Sequence, residues 1–199
     1  MIMMPSNNTG QVVKDLFEKY PDEIALLLNP QCYRPHQFEY RYAIDNNAFI
    51  RFDEKMFFDF LDKTKKHKPP MWVVSPDVVG CHDRTLALWG HYYPMIQKYG
   101  YPIAFVCQDG CRPELIPEEA AWWFIGGSPQ TDWKSTHLIN FTTNKTRPIH
   151  VGRVNSTSFA KYCEILGVDS IDGTGWMRAG YRQKQFIGLF EEEKQCSLF

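Results

Sequence analysis

Short apolar runs recur along this 199-residue chain, and each of them is closed by glycine or polar residues. Seven such runs occupy residues 24–30, 42–49, 71–80, 102–110, 122–128, 148–156 and 168–176. Continuous apolar runs of this length, rich in Val, Ile and aromatic residues, are typical of strands that are buried on both faces. Strands of that kind need helices to cover them, which favours a parallel α/β fold.

The segments between these runs supply the helices. Four segments have helical character: residues 53–66, 83–100, 117–122 and 155–167. Asp53 is placed to cap the first, Gly100 to stop the second, and Pro117 to start the third. Seven or eight strand–helix units predict a compact (β/α)8-type barrel at the small end of that fold, with an open doubly wound sheet as the alternative.

Composition is that of one globular domain. Hydrophobic residues make up 44% of the chain and charged residues 23%, and neither a repeat nor a low-complexity linker divides it. We therefore expect a single domain over residues 1–199. Aromatic residues reach 15%, which fits stacking surfaces or an aromatic core. The net charge of −1 means that a nucleic-acid partner would have to meet a local basic patch.

Cysteine spacing and hydropathy bear on metals, membranes and compartment. None of the six cysteines forms a CxxC pair, and no second pair accompanies Cys107 and Cys111, so we expect no metal site. The first residues lack the basic start and long apolar run of a signal peptide, and no stretch reaches about 18 apolar residues. A cytoplasmic protein with free thiols and no membrane partner is the simplest interpretation.

Polar residues or glycines follow the apolar runs where the strands are expected to end: Asp45, Asn46, Asn47, Asp77, Gln108, Asp109, Gly126, Gly127, Gly152, Arg153, Asn155, Asp169 and Asp172. Because the carboxyl ends of barrel strands meet at one face, these residues are expected to converge on one pocket. Each also has a plainer interpretation, since an Asp after a strand often caps the next helix and a Gly-Gly pair can be only a tight turn.

The chemistry that this set offers is carboxylate chemistry. The chain has no glycine-rich phosphate motif and no GxSxG elbow, so no cofactor is expected. The six histidines show no close pairing, and His150, in the middle of a strand, is interpreted as a core histidine. Two acids, Asp169 and Asp172, share one short Gly-rich stretch, which indicates that something is bound or attacked there.

Six short motifs follow one another in a recognisable order: IDNNAF at 44–49, SPDVVG at 75–80, FVCQDG at 105–110, FIGGS at 124–128, HVGRVNS at 150–156 and DSID at 169–172. In this order they resemble the tRNA-guanine transglycosylase superfamily, in particular the short phage-type members that insert 7-deazaguanines into DNA. The chain departs from the family in DNNAF, where the family has D-S-G-G, and it lacks the family's zinc-binding C-x-C-x-x-C…H segment. The resemblance therefore implies a reduced barrel without the zinc-binding subdomain.

The resemblance also implies roles for individual residues. Asp172 would attack C1′ of a deoxyribose and expel guanine, and Asp45 would be general acid for the departing base and general base for the incoming one. Phe49 and Trp176 would sandwich the base, while Asp169 would hold the turn. The substrate-binding residues would be Asp77, Gln108, Gly126, Gly127, Asn46, Val151 and Gly152.

The implied partners are DNA, with its guanine flipped out or single-stranded, and a free 7-deazaguanine base such as a preQ0-like one. A homodimer is compatible with the sequence. The candidates for phosphate contacts follow strands or lie in the tail: Arg153, Lys134, Arg178 and Arg182, with Arg112 and Lys184 beside them. The basic run at 63–68 precedes a strand, so we expect it on the opposite face of the barrel.

Two other functions stay open at this point. The first is hydrolysis or transfer on free nucleosides or nucleotides, which would need no basic groove and suits the near-neutral charge. The second is a non-catalytic barrel that only binds nucleic acid. Loss of Asp172 would leave the affinity of such a binding module unchanged.

Overall fold

The computed structural model describes residues 1–6, 10–173 and 188 of the chain. Eight parallel strands form one sheet: β1 (Ile2–Met4), β2 (Leu26–Leu28), β3 (Tyr42–Ile44), β4 (Val73–Val74), β5 (Ile103–Cys107), β6 (Trp122–Ile125), β7 (Ile149–Val151) and β8 (Ser170–Asp172). They are ordered β1-β8-β7-β6-β5-β4-β3-β2, so each step from β2 to β8 moves one place around the sheet.

The sheet curls until its two edge strands meet. Isolated parallel bridges join Met3 to Ile24 and Ser6 to Leu27. The N–H of Ala25 donates to the carbonyl of Met3 over 3.2 Å. These contacts make a nearly closed barrel, which confirms the (β/α)8-type fold and shows that the open doubly wound sheet is wrong. No zinc-binding subdomain accompanies the barrel in residues 1–6 and 10–173.

Helices cover the outside of the barrel: α1 (Gln11–Lys19), α2 (Glu54–Thr64), α3 (His82–Gln97), α4 (Trp133–Thr143) and α5 (Thr157–Ile165). The expected cap is present, because the side chain of Asp53 accepts a hydrogen bond from the N–H of Met56. Ser156 caps α5 in the same way through the N–H of Phe159. No helix in the described part of the chain is both long and apolar enough to cross a membrane.

Four elements differ from the sequence-based expectation. The helix predicted at 117–122 is wrong: a 3₁₀ helix covers Pro113–Leu115, and β6 begins at Trp122. Six residues are too few to offset the cost of nucleating a helix. The elements β1 and α1, at the start of the chain, and α4 were not predicted at all.

Side chains alternate between the inside of the barrel and the helix layer, as the pleat of a strand requires. Away from the carboxyl ends of the strands, the interior of the barrel is apolar and aromatic, with Trp72, Ala43 and Ala104 among its buried residues. At the carboxyl ends of the strands the interior becomes polar, with Gln108 and Asp172 both buried. The barrel therefore has a packed base and a polar mouth, where its candidate site lies.

Candidate active site

A small cavity occupies the polar mouth of the barrel. Its volume is about 100 Å³, and it adjoins a wider cleft of about 650 Å³. The cavity brings together the side chains of Asp45, Asn46, Asp77, Gln108 and Asp172. Gly126, Gly152 and Arg153 complete this part of its wall. Residues that are far apart in sequence thus meet where the strand-end argument places them.

Asp172 ends β8 with its carboxylate aimed into the cavity. It is 7% exposed. Its Oδ1 accepts a hydrogen bond from the backbone N–H of Arg153 over 3.1 Å and lies 3.0 Å from Nε2 of His150. Within residues 1–6 and 10–173 no group bonds to Oδ2. One oxygen is therefore held in place while the other remains available to a bound molecule.

His150 is a site residue that the sequence interpretation missed. Its ring is fully buried, with Nδ1 2.8 Å from Oγ of Ser170 and Nε2 3.0 Å from Asp172. The rings of Phe124 and Trp72 pack against it at centroid distances of 4.5 and 4.9 Å. The signal that could have found it is strand parity, because His150 and Gly152 share the inner face of β7.

Asp45 follows β3 and faces the same cavity. Burial raises its pKa to about 7, and the neighbouring charges of Asp172 and Asp77 add to the rise. The backbone amides of Asn46 and Asn47 offset part of this shift. A carboxyl group with a pKa of about 7 can both donate and accept a proton near neutral pH, which is what general acid–base catalysis requires.

Asp77 is an acceptor held by two amides. Its Oδ1 accepts from Nδ2 of Asn46 over 2.7 Å, and its Oδ2 accepts from Nε2 of Gln108 over 2.6 Å. Asn46 also donates to the carbonyl of Ser75, and Gln108 accepts from the N–H of Gly80. Burial raises the pKa of Asp77 despite these hydrogen bonds. Each carboxylate oxygen keeps a second lone pair for a ligand N–H.

Two glycines are required by close packing at the cavity wall. A Cβ added at Gly152 would lie 2.7 Å from the ring of Phe124 and 3.2 Å from Oδ1 of Asp172. A Cβ at Gly126 would lie 2.8 Å from Nε2 of Gln108. Any side chain at either position would push directly on a group that lines the cavity.

Arg153 covers one side of the cavity. Its backbone is left-handed, with φ 57°, which is uncommon for a non-glycine residue. The guanidinium donates to the carbonyls of Gly126 and Gly127 and stacks 4.8 Å over the ring of Phe49, which is 59% exposed. Phe49 and Arg153 border both the cavity and the cleft, and Phe49 is therefore positioned to stack on a flat ligand.

Lys134 reaches the cleft from α4. Its Nζ donates to the carbonyl of Gly152 over 2.5 Å. Burial, together with the nearby charge of Arg153, lowers the pKa of Lys134 to about 8. Two of the three predicted phosphate contacts in the described part of the chain, Lys134 and Arg153, thus already bond to backbone carbonyls of the site, and the third, Arg112, pairs with Glu114 over 3.3 Å.

Two predicted substrate contacts do not line the cavity. Val151 lies on the outer face of β7 and packs in the core between the strands and the helices, since inner and outer side chains alternate. Gly127 has φ +67°, and a Cβ added to it would point at Trp133 and Lys134, 3.1 and 3.2 Å away. The side chain of Val151 therefore does not reach the cavity, and its role in substrate binding stays a prediction.

Asp169 is not beside Asp172. It lies before β8 at the amino-end face of the barrel, where its Oδ2 accepts from Nζ of Lys145 and from the backbone N–H of Ile149 over 2.8 and 2.7 Å. The expectation that both acids share one turn at the site is wrong, because three residue steps along an extended chain separate them by about 10 Å and place their side chains on opposite faces of the sheet.

Four of the predicted residues fall outside the described residues: Trp176, Arg178, Arg182 and Lys184. Between residues 1 and 173, leaving out 7–9, no cluster of three His, Cys, Asp or Glu side chains is arranged to hold a metal ion.

Among known proteins, the chain matches solved structures that share its fold. No protein-family model and no curated protein matches the chain. The solved tryptophan synthase complex from Pyrococcus furiosus is similar, with 9% identity, a TM-score of 0.57 and coverage of 88% of this chain and 87% of that one. A putative fructose-1,6-biphosphate aldolase from Coccidioides immitis matches with 11% identity, a TM-score of 0.59 and coverage of 86% and 72%. A 3-hexulose-6-phosphate synthase matches with 10% identity, a TM-score of 0.54 and coverage of 90% and 93%. At such identities the likeness shows a shared TIM-barrel fold, which hosts many unrelated functions.

Proposed function

We propose that this protein is an enzyme, a DNA-guanine transglycosylase that exchanges guanine in DNA for a 7-deazaguanine base through a covalent aspartyl–deoxyribose intermediate. One observation carries the proposal: Asp172, with a free carboxylate oxygen, shares a small cavity with Asp45, whose pKa is about 7. This is the pairing of a nucleophile and an acid–base group that a retaining displacement at a sugar carbon uses.

The first half-reaction balances as follows. Oδ2 of Asp172 bonds to C1′ of the deoxyribose while the C1′–N9 bond breaks and its electron pair moves to the purine. Protonated Asp45 gives its proton to the departing guanine. The sugar is left as an ester of Asp172, and Asp45 is left as a carboxylate.

The second half-reaction reverses these roles. An incoming 7-deazaguanine gives its N9 proton to Asp45, and its N9 electron pair bonds to C1′. The bond from C1′ to Oδ2 breaks, so Asp172 leaves as a carboxylate and Asp45 is protonated again. The pKa of about 7 suits Asp45 to both tasks at neutral pH.

Asp77, which two side-chain amides hold in position, would bind the base. In this proposal Asp77 accepts from the N1–H and exocyclic amine of guanine, and Gln108 and Asn46 keep Asp77 in position. Phe49 would stack on the base. The cavity of about 100 Å³ suits a planar base, and the adjoining cleft of about 650 Å³ would take the sugar and its flanking phosphates.

The test is incubation of the protein with DNA that carries labelled guanine, with and without a preQ0-like base, followed by nucleoside analysis. Exchange predicts incorporation of the 7-deazaguanine and continued release of label when the free base is supplied, whereas without it the release should stop at one equivalent per enzyme, the guanine expelled when the ester forms. Release of label over many turnovers without any incoming base would indicate an N-glycosidase instead. Absence of both results would contradict the proposal.

A second candidate is transfer on free nucleosides or nucleotides. The observation that favours it is that Lys134 and Arg153 bond to backbone carbonyls of the site, which leaves fewer donors for a phosphate backbone. Parallel assays with guanosine, deoxyguanosine monophosphate and single-stranded DNA separate the two. A higher kcat/KM on the free nucleoside than on DNA would select the second candidate.

A further inference from the structure

His150 is a fully buried polar residue whose two ring nitrogens both have partners. Nδ1 lies 2.8 Å from Oγ of Ser170, and Nε2 lies 3.0 Å from Oδ1 of Asp172. The rings of Phe124 and Trp72 restrict rotation of the imidazole. The packing and the two hydrogen bonds define one ring orientation, which is more than a core histidine needs to be satisfied.

We propose that His150 is a positioning residue that donates its Nε2–H to Asp172 and so favours the return of Asp172 from the sugar ester to the free carboxylate. The inference rests on the proposed function, because it concerns the covalent intermediate of that reaction. His150 does not touch the sugar in this proposal; it acts through Asp172.

The direction of the effect follows from the charge on Asp172. A carboxylate is a charged acceptor, and a hydrogen bond to it is roughly twice as strong as one to a neutral ester. The donor therefore stabilises the free carboxylate more than it stabilises the ester. When the C1′–Oδ2 bond breaks and its electron pair returns to Asp172, the Nε2–H of His150 stabilises the charge that develops.

The geometry also assigns the tautomer. An ionised Asp172 only accepts, so Nε2 must carry the proton, and in neutral His150 Nδ1 then accepts from the hydroxyl of Ser170. The same contacts orient the nucleophile, because Oδ1 is fixed by His150 and by the N–H of Arg153 while Oδ2 faces the cavity.

The first test compares His150→Phe with His150→Gln, which keeps a side-chain N–H. Each variant is mixed with saturating labelled DNA without an incoming base, and the denaturation-resistant adduct is measured on a gel. His150→Phe should raise the ratio of ester to free enzyme about tenfold, and His150→Gln should lie within about threefold of the wild type. An unchanged or lower ratio in His150→Phe, with its fold verified by circular dichroism, overturns the proposal.

The second test needs no substitution. Nitrogen NMR of histidine-labelled wild-type protein should show the Nε2-protonated tautomer for His150, and this N–H resonance should move when the adduct forms. An Nδ1-protonated neutral ring would overturn the proposal, even if His150→Phe failed to fold.

The two levels of inference fail separately. If wild-type protein forms no adduct and exchanges no base, the proposed function fails, whichever tautomer His150 has. If the wild type forms the adduct but His150→Phe leaves its ratio unchanged, only the role of His150 fails. Ser170→Ala serves as a control, since it keeps the contact between Nε2 and Asp172 and should change the ratio much less than His150→Phe.

Discussion

An aspartate lies at each end of β8, and the two aspartates have different roles. Asp169, at the amino-end face of the barrel, is neutralised by Lys145 and holds the N–H of Ile149. Asp172, at the carboxyl end, has one oxygen fixed and the other free in a cavity that two further acids share. An acid's role in a parallel barrel thus depends on which strand end it occupies and on which face its side chain takes.

The sharpest way to break this comparison is to neutralise each acid in turn. Asp172→Asn should lower base exchange on the order of 10³-fold or more, about 4 kcal/mol of barrier, because an amide cannot supply the charge that bonds to C1′. Asp169→Asn should keep most of the activity. Exchange assays on labelled DNA measure both, and an active Asp172→Asn variant beside an inactive Asp169→Asn variant would reverse the assignment.

Asp45 tests the electrostatic side of the comparison. Asp45→Asn should lower exchange by about 10²-fold or more, because it removes the carboxyl group whose pKa of about 7 suits it to transfer the proton. In the wild type, guanine release should fall as the pH rises through about 7, where Asp45 loses its proton. A pH profile of base release measures this, and a flat profile between pH 6 and 8 would contradict the role.

Replacing Asp45 should also stabilise the folded protein at high pH. The folded pKa of Asp45 lies above its unfolded value, so its contribution to stability is present below about pH 4 and is lost as the pH rises toward 7. Above pH 7 the ionised carboxylate of Asp45 lowers the free energy of unfolding by its full amount. Asp45→Asn should therefore raise the free energy of unfolding at pH 8 by about 2–4 kcal/mol, and by little at pH 4. Urea titrations at the two pH values measure the difference.

Gly152 sharpens the comparison at the carboxyl end. Gly152→Ala should cost about 1–3 kcal/mol of stability and displace Asp172, because its Cβ would lie 2.7 Å from Phe124 and 3.2 Å from the carboxylate. Gly90→Ala is the matched control, since nothing lies within 4 Å of the added Cβ in α3. We expect the control to be neutral or stabilising by up to about 1 kcal/mol. Thermal unfolding and exchange assays on both variants check this.

The smallest effect is expected at the amino end. Asp169→Asn should lower the free energy of unfolding by about 1–2 kcal/mol, since it removes the charge that pairs with Lys145 and weakens a hydrogen bond to backbone. Lys145→Met should cost less than Asp169→Asn, because the contact to the N–H of Ile149 survives. Equal losses in the two variants would mean that the ion pair alone accounts for the effect.

The barrel and the acids at its strand ends could be predicted from the sequence, because buried parallel strands appear there as continuous apolar runs with polar residues directly after them. The sequence did not reveal β1, whose apolar run covers only residues 1–4, or α4, where several Ser, Thr and Asn residues weaken the helical pattern. The separation of Asp169 from Asp172 was available in principle, since an odd spacing puts two strand residues on opposite faces.

The role of His150 could not be predicted without the three-dimensional structure. Its inward orientation follows from strand parity, but its contact with Asp172 depends on β7 and β8 being neighbours with His150 in register with Ser170. Likewise, the support that Asn46 and Gln108 give to Asp77 joins the ends of three strands, and only the closed barrel brings them together.

The closure of the barrel has a consequence for local opening and amide exchange. Seven of the eight strand contacts are ladders between named strands, whereas β1 and β2 meet through two isolated bridges. Transient opening of a cooperative fold begins where the pairing is weakest, so deuterium should enter early at the amides of this junction, such as that of Leu27, whose hydrogen bond to the carbonyl of Pro5 spans 3.3 Å. The strand β1 also pairs with β8, and Leu27 and Ser6 border the cavity. A molecule seated in the cavity would thus bridge the junction and slow exchange there, linking occupancy at the mouth to the integrity of the whole ring.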